Sequence, residues 1–430
     1  MTPVELLQQL IRFDTTNPPG NEAPCIEFIR GLLEEAGVAT EVYAKEPGRP
    51  NLVARLRGGD KPPLLLQGHV DVVTTTGQQW AYPPFAGELV DGYVWGRGAL
   101  DMKGGVAMLV SAFLRAARER TSLPGDVILL VLVDEEGGGD LGARFMVEEH
   151  AHLFDGVRYA LSEFGAFSQE MGGRRFYPIQ VAEKQICWLK ATVRGWGGHG
   201  ALAQPRGGTM ARLGKVLAEL DDKRMPIHIT PAARAMLTSI AEAQPRAQRL
   251  ILRALLKPRL ANLALRLGGE RLRSFEPLLR NTASATIVRA GEKINVIPAE
   301  VEVEIDARAL PGFSPAEVIS ELQPIVGEHA ELELVRHDPG PPEPDLALFD
   351  TLAGVLRELD PEAVPIPLLQ AGVTDARFFA QLGIQTYGFL PMTLPADFPF
   401  LRFVHAADER IPAKAVEFGA EGVFRALQRF

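Results

Sequence analysis

Seven apolar residues in a row, Val127-Ile128-Leu129-Leu130-Val131-Leu132-Val133, run straight into Asp134-Glu135-Glu136 and then Gly137-Gly138-Gly139. A run of this length fits a β-strand covered on both faces and is too short to cross a bilayer. The glycines turn the chain where the acids stand. In open α/β sheets ligands bind at the carboxyl ends of strands. The acids are therefore placed to hold a cation and act as a base, unless they form a plain solvated loop.

The rest of the chain supplies a sheet for this strand. Up to about residue 180, helical patterns (22–36, 104–120, 141–149) alternate with strand patterns (51–56, 64–67, 159–162), the signature of a sheet with helices on its faces. The texture changes near residue 185. Residues 186–193 alternate as a strand, 212–220 and 231–268 are helical and rich in Leu, Ala and Arg, and 283–289 and 301–308 read as strands. The Pro-rich stretch 337–345 leads back to helices at 346–358 and 413–428 and a strand at 386–389. A chain of 430 residues also exceeds the ~250–300 at which one core stops growing. The expected architecture is α/β: a mixed sheet with helices on both faces from residues 1–183 and 340–430, with an α+β domain, 184–339, inserted.

Composition narrows the partners. A net charge of −9 argues against nucleic acid and anionic membrane surfaces. Cys25 and Cys187 are the only cysteines and no CxxC occurs, which argues against a disulfide framework or thiolate zinc site and for a reducing compartment. Thr2 and Pro3 read as the cap and first residue of a helix whose apolar face is Val4, Leu6, Leu7, Leu10 and Ile11. With no signal-like segment ahead of that helix, the expected location is the cytoplasm.

Three further segments carry chemistry. Leu64-Leu65-Leu66-Gln67-Gly68-His69-Val70-Asp71 is a second apolar strand ending in polar groups. A metal-bound imidazole usually has its other nitrogen held by a carboxylate, and Asp71 is placed to do that for His69; the plain alternative is a hydrogen-bonded structural His. Trp95-Gly96-Arg97-Gly98-Ala99-Leu100-Asp101-Met102-Lys103-Gly104-Gly105 resembles a dinucleotide loop, but Asp101 replaces the third glycine and would repel pyrophosphate. Asp101 suits a carboxylate bridging two cations, or else an ordinary helix N-cap. Glu163 ends a short strand, and His405 lies in Phe403-Val404-His405-Ala406-Ala407-Asp408-Glu409; taken singly, each reads as a surface residue. Two imidazoles with several carboxylates and no thiolate suit two divalent ions, Zn²⁺ first and Co²⁺ or Mn²⁺ next. A pair ~3.5–4 Å apart would polarise a carbonyl and activate water.

The set GHVDVV, GRGALDMKGG, VDEEGGGD, LSEFG, the GGHGA segment and the late His405 resembles, in order and spacing, the M20 metallopeptidases, a family of carboxypeptidases, dipeptidases, aminoacylases and desuccinylases. The resemblance runs from the N-terminal helix to the C-terminus. It implies a zinc-peptidase catalytic domain with an inserted lid and dimerisation domain. One metal would be held by His69, Asp101 and Glu163, the other by Asp101, Glu136 and His405, with Glu135 as general base and a cis peptide at Asp101–Met102. If residues 135 and 136 are extended they face opposite ways, which would separate ligand from base. The resemblance also implies that His199 stabilises an oxyanion in a neighbouring subunit's site, and that Asn295, Arg308 and Arg377 bind substrate. The implied reaction is hydrolysis of an amide next to a free carboxylate in short peptides. N-acyl-amino-acid deacylation is the alternative, and a non-catalytic metal-binding relative a second. The helical stretch 221–278 is larger than the desuccinylase insert and resembles that of the carboxypeptidase S and aminoacylase side.

Overall fold

The computed structural model describes residues 1–202 and 206–430, apart from the side chain of Arg271. It divides into two compact units, Met1–Val181 with Asp345–Leu368 and Thr374–Phe430, and Ala182–Pro344 with Leu369–Val373.

The first unit is built on a nine-stranded sheet. Its spatial order is Thr40–Ala44, Pro50–Leu56, Gly125–Leu132, Lys61–His69, Tyr159–Ser162, Gln385–Gly388, Arg174–Glu183 and Ala363–Gln370, with Gln169–Met171 paired to Arg174–Glu183. Four neighbours at the centre, from Gly125–Leu132 to Gln385–Gly388, are parallel. Alternation explains why the central strands look uniformly apolar. Leu64, Leu66, Val127, Leu129 and Val131 enter one core with helices Pro3–Ile11, Lys103–Arg118 and Ala413–Leu427, whereas Leu65, Ile128, Leu130 and Leu132 enter another with Ala143–Glu149. Each side chain points to one face, and both faces are covered. The N-terminal helix is closed by a Thr2–Glu5 capping box with Pro3 in the first turn, an arrangement that satisfies otherwise orphaned donors.

The second unit has an antiparallel four-stranded sheet in the order Thr282–Ala290, Glu300–Ala309, Gln185–Arg194, Ala330–Asp338. Here only one face is covered. Leu189, Ala191, Val193, Val301, Val303 and Ile305 pack with Leu213, Val216, Val318 and Leu322 from helices Thr209–Asp222 and Pro315–Val326. The Leu- and Arg-rich stretch forms three successive helices, Pro231–Ala243, Arg246–Leu255 and Pro258–Leu267.

Candidate metal centre

Lys61–His69 lies between Gly125–Leu132 and Tyr159–Ser162 in the sheet, so the carboxyl ends of three adjacent parallel strands open on one place. They bring His69, the acids at 134–136 and Glu163 together. His69 Nε2 stands 3.3 Å from Asp101 Oδ1, 3.5 Å from Glu163 Oε2 and 4.0 Å from Glu135 Oε2. His405 Nε2 stands 3.1 Å from Asp101 Oδ2 and 3.2 Å from Glu136 Oε1. The two oxygens of one carboxylate thus face two different imidazoles.

These residues fit metal ions. Two donors, each about 2.0–2.1 Å from a tetrahedral ion, stand about 3.3 Å apart, the spacing seen around His69 and His405. Nε2 of His69 is buried yet makes no well-directed hydrogen bond among the described residues. Donor atoms of His69 with Glu135 and Glu163, and of His69 with Asp101 and Glu136, all fall within 4.8 Å of one another.

Electrostatics points the same way. Burial, then the charge of Glu163, holds the Glu135 carboxyl well above its ordinary pKa. Hydrogen bonds donated to Asp101 and Glu136 push His405 up to about 10. Against the opposing effect of burial, Asp101, Asp71 and Glu163 raise His69 well above the usual imidazole value, and His405 and His69 lower Asp101. The cluster is a concentration of negative charge that retains protons, and divalent cations can displace those protons.

Asp71 lies beside the His69 ring through two of its oxygens. Its main-chain oxygen lies 3.0 Å from His69 Nδ1 and its carboxylate Oδ1 3.4 Å, so the carbonyl is the nearer partner of the ring. The buried carboxylate also accepts the backbone N–H of Glu135 (3.1 Å), that of Glu136 (3.1 Å) and the side-chain amide of Asn17 (2.9 Å). This corrects the argument from strand alternation. The strand stops at Leu132, Asp134 adopts φ 68°, and residues 135–138 form a turn. The glutamates diverge because that turn is pinned. Asp134 itself accepts from Asn17, Arg49 and the Leu141 N–H.

Asp101 is not a helix cap. Helix Lys103–Arg118 has Met102 at its cap position, with no side-chain cap hydrogen bond. The Asp101–Met102 peptide is cis. Glu409 Oε1 accepts from the N–H of Leu100 (2.7 Å) and Asp101 (3.2 Å), while its other oxygen pairs with Arg97. Arg97 also donates to the carbonyls of His405 (3.2 Å) and Ala406 (3.1 Å). A fully buried ion pair therefore joins the Asp101 loop to the His405 loop, where His405 sits at φ 63°.

Asn17, Arg49, Arg97 and Glu409 were not singled out from sequence, and Asp134 was grouped with the two glutamates rather than read as the anchor of their turn. For Arg97 and Glu409 a signal existed: each lies inside a motif that bears a ligand. Asp375 was missed too; its carboxyl is buried and held at about 7, chiefly by that burial.

The remaining expected residues have other surroundings. Arg377 is buried, and its guanidinium donates to the carbonyls of Thr374 (2.7 Å) and Gly138 (2.9 Å), bracing the glutamate turn. In the second unit, Gly198–His199 pairs with Val296–Ile297, and Gly200 N–H donates to Asn295 O at 2.9 Å; His199 and Asn295 are exposed. Arg308 is on the four-stranded sheet, paired with Asp306 at 2.7 Å.

Known proteins are similar along nearly the whole chain. The N-fatty-acyl-amino acid synthase/hydrolase PM20D1 of Homo sapiens is 28% identical over 85% of this chain and 74% of its own. A succinyl-diaminopimelate desuccinylase of Paracoccus denitrificans is 26% identical over 100% of this chain and 98% of its own. In structure, the M20 metallo-carboxypeptidase Sso-CP2 of Sulfolobus solfataricus superposes with a TM-score of 0.70 at 17% identity, covering 99% of this chain and 98% of that one. The model of peptidase family M20/M25/M40 matches residues 65–429, a span that includes every candidate ligand, and the chain belongs to that family of metal-dependent hydrolases of amide bonds.

Proposed function

We propose that the protein uses two divalent ions, zinc by preference, to hydrolyse an amide next to a free carboxylate. The first ion would be held by His69, Asp101 and Glu163, the second by Asp101, Glu136 and His405. One observation carries this reading: the two oxygens of Asp101 face His69 and His405 separately. Bound cations would supply Lewis acidity, polarising the scissile carbonyl and making water a stronger acid.

The rest is the work of side chains. Glu135 is the outermost of the carboxylates around His69, which leaves it as the base that takes a proton from attacking water and delivers it to the leaving amine. Asp71 and Arg377 hold its turn in place. Short peptides are the first substrate class. N-acyl amino acids are the second reading, favoured by the acyl-amino-acid hydrolase and the desuccinylase among the relatives. Asn295 and Arg308 are candidates for contact with the substrate. His199 is a candidate for oxyanion stabilisation in a neighbouring subunit, which requires a homodimer formed through the second unit. The two buried, unpaired cysteines fit a cytoplasmic setting.

Peptides and N-acyl amino acids assayed side by side, with metal content determined on the same samples, test this reading. Turnover of neither class by protein loaded with two zinc equivalents would refute it, and so would a stoichiometry unchanged in His405→Ala.

A further inference from the structure

Helices Arg246–Leu255 and Pro258–Leu267 have no part in the site just described. From residue 246 to 273 the sequence carries eight Lys and Arg against one acid, a local net charge of +7 in a chain of net −9. In the first helix Leu252 and Leu255 are buried, while Leu250 and Ile251 are 70% and 49% exposed. In the second, Ala261 and Leu265 are buried, while Leu260, Leu263 and Leu267, at i, i+3 and i+7, are 45%, 55% and 77% exposed.

At 100° per residue the apolar arc of each helix runs about 140–160° beyond the rib that packing covers. Basic residues border both arcs: Arg246 and Arg253 on one helix, Arg259 and Arg266 on the other, Lys257 between them, all exposed. Single exposed leucines need no explanation. Five large apolar side chains within two short helices, edged by cations, are the pattern of a helix that lies in a lipid interface.

A neighbouring cavity of about 760 Å³ adds to this. Its charged lining is Lys223, Arg224, Arg266, Arg273 and Arg280 against Asp222 and Glu276, and that excess of positive charge suits an anionic headgroup. No helix among the described residues is long and apolar enough to cross a membrane. The contact would therefore be peripheral.

We propose that these two helices dock the protein on an anionic phospholipid surface, their exposed leucines entering the interface and their Arg and Lys meeting headgroup phosphates. Charge decides between this occupant and a second copy of the chain, because pairing the same face with itself would bring Arg246, Arg253, Lys257, Arg259 and Arg266 of one copy against those of the other.

The test is co-sedimentation of the full chain with vesicles of phosphatidylcholine alone or mixed with phosphatidylglycerol. Partition onto the mixed vesicles should be at least about tenfold stronger and should fall with added salt. Leu263→Gln/Leu267→Gln and Arg253→Glu/Arg259→Glu should each lose most of it while hydrolysing a soluble substrate at the parent rate, which shows that they fold. Equal partition onto both vesicles, or undiminished binding by both variants, overturns the proposal. So does a dimer that Leu263→Gln/Leu267→Gln converts to monomer without any vesicle binding, since the occupant is then a second copy.

Discussion

In the first unit Asp101, Glu135, Glu136 and Glu163 crowd a buried imidazole, His69, and a half-exposed one, His405, and the turn that carries two of them is tied down by Asp71, Asn17, Arg49 and Arg377. In the second, Arg246, Arg253, Lys257, Arg259 and Arg266 stand in solvent beside uncovered leucines. Like charges removed from water are costly unless each is paired or hydrogen-bonded, so the acidic cluster persists only within a shell of donors. Exposed charges cost the fold little. What the two regions share is charge of one sign that the chain itself leaves uncompensated, and each implies a counter-charge from outside: cations for the first, an anionic surface for the second.

The comparison breaks most sharply at Glu135, the buried carboxylate to which no ligand role is given. Glu135→Gln should keep both metal equivalents and lose about 10²–10⁴-fold in kcat, measured by steady-state kinetics and elemental analysis on one preparation. Retained turnover would make Glu135 one more member of the acidic shell. His199 asks the same question of the second unit. If an exposed residue there serves the chemistry, His199→Ala should cost about 10²-fold in kcat with metal content unchanged, and light scattering should give a dimer. A monomer mass with unchanged kcat would confine the chemistry to the first unit.

A smaller effect is expected at Asp71, which touches the glutamates only through their backbone. Asp71→Ala leaves the N–H groups of Glu135 and Glu136 and the Asn17 amide without their acceptor. Metal affinity should fall about 10–100-fold, as read by competition with a chelator. Unaltered affinity would show that Arg49 and Arg377 suffice to hold the turn.

How much of this could be read from sequence follows the same division. His69, Glu136 and Glu163 were legible because an apolar run announces a strand and the strand's end announces the site. Asp101 and His405 were legible through the motifs around them. The bonds of Asn17 to Asp71 and Asp134, and of Arg97 to Glu409, join residues 54, 117 and 312 positions apart, and no local pattern encodes such distances. The turn at 135–138 begins earlier than the glycines suggest, and alternation was carried to Glu135 and Glu136, past the strand's end at Leu132. In the second unit the helices were legible but their exposure was not, since a leucine stripe reads alike whether a core or a lipid covers it. The total of −9 likewise conceals a segment of +7.

Lys184 offers the finest test, because it is a buried cation in the unit whose other cations are mostly exposed. Its Nζ donates to Arg280 O at 2.9 Å and Thr282 Oγ1 at 2.8 Å, both uncharged. Burial, helped by the charge of Arg308 and opposed by Asp306, lowers its pKa from 10.5 to about 7. Below pH 7 both native and unfolded states carry the charge, and the native state bears its desolvation. Between pH 7 and 10.5 the native protein has released a proton that the unfolded chain still holds, so stability from this group rises with pH. Lys184→Met removes the titration and shares every other ionisable group with the parent. The parent's stability relative to the variant should therefore increase by about 2 kcal/mol from pH 7 to 9, measured by urea denaturation at constant ionic strength. A difference that stays flat would mean that Lys184 keeps its charge in the fold, and that the second unit, like the first, solvates its buried charge well enough to hold it.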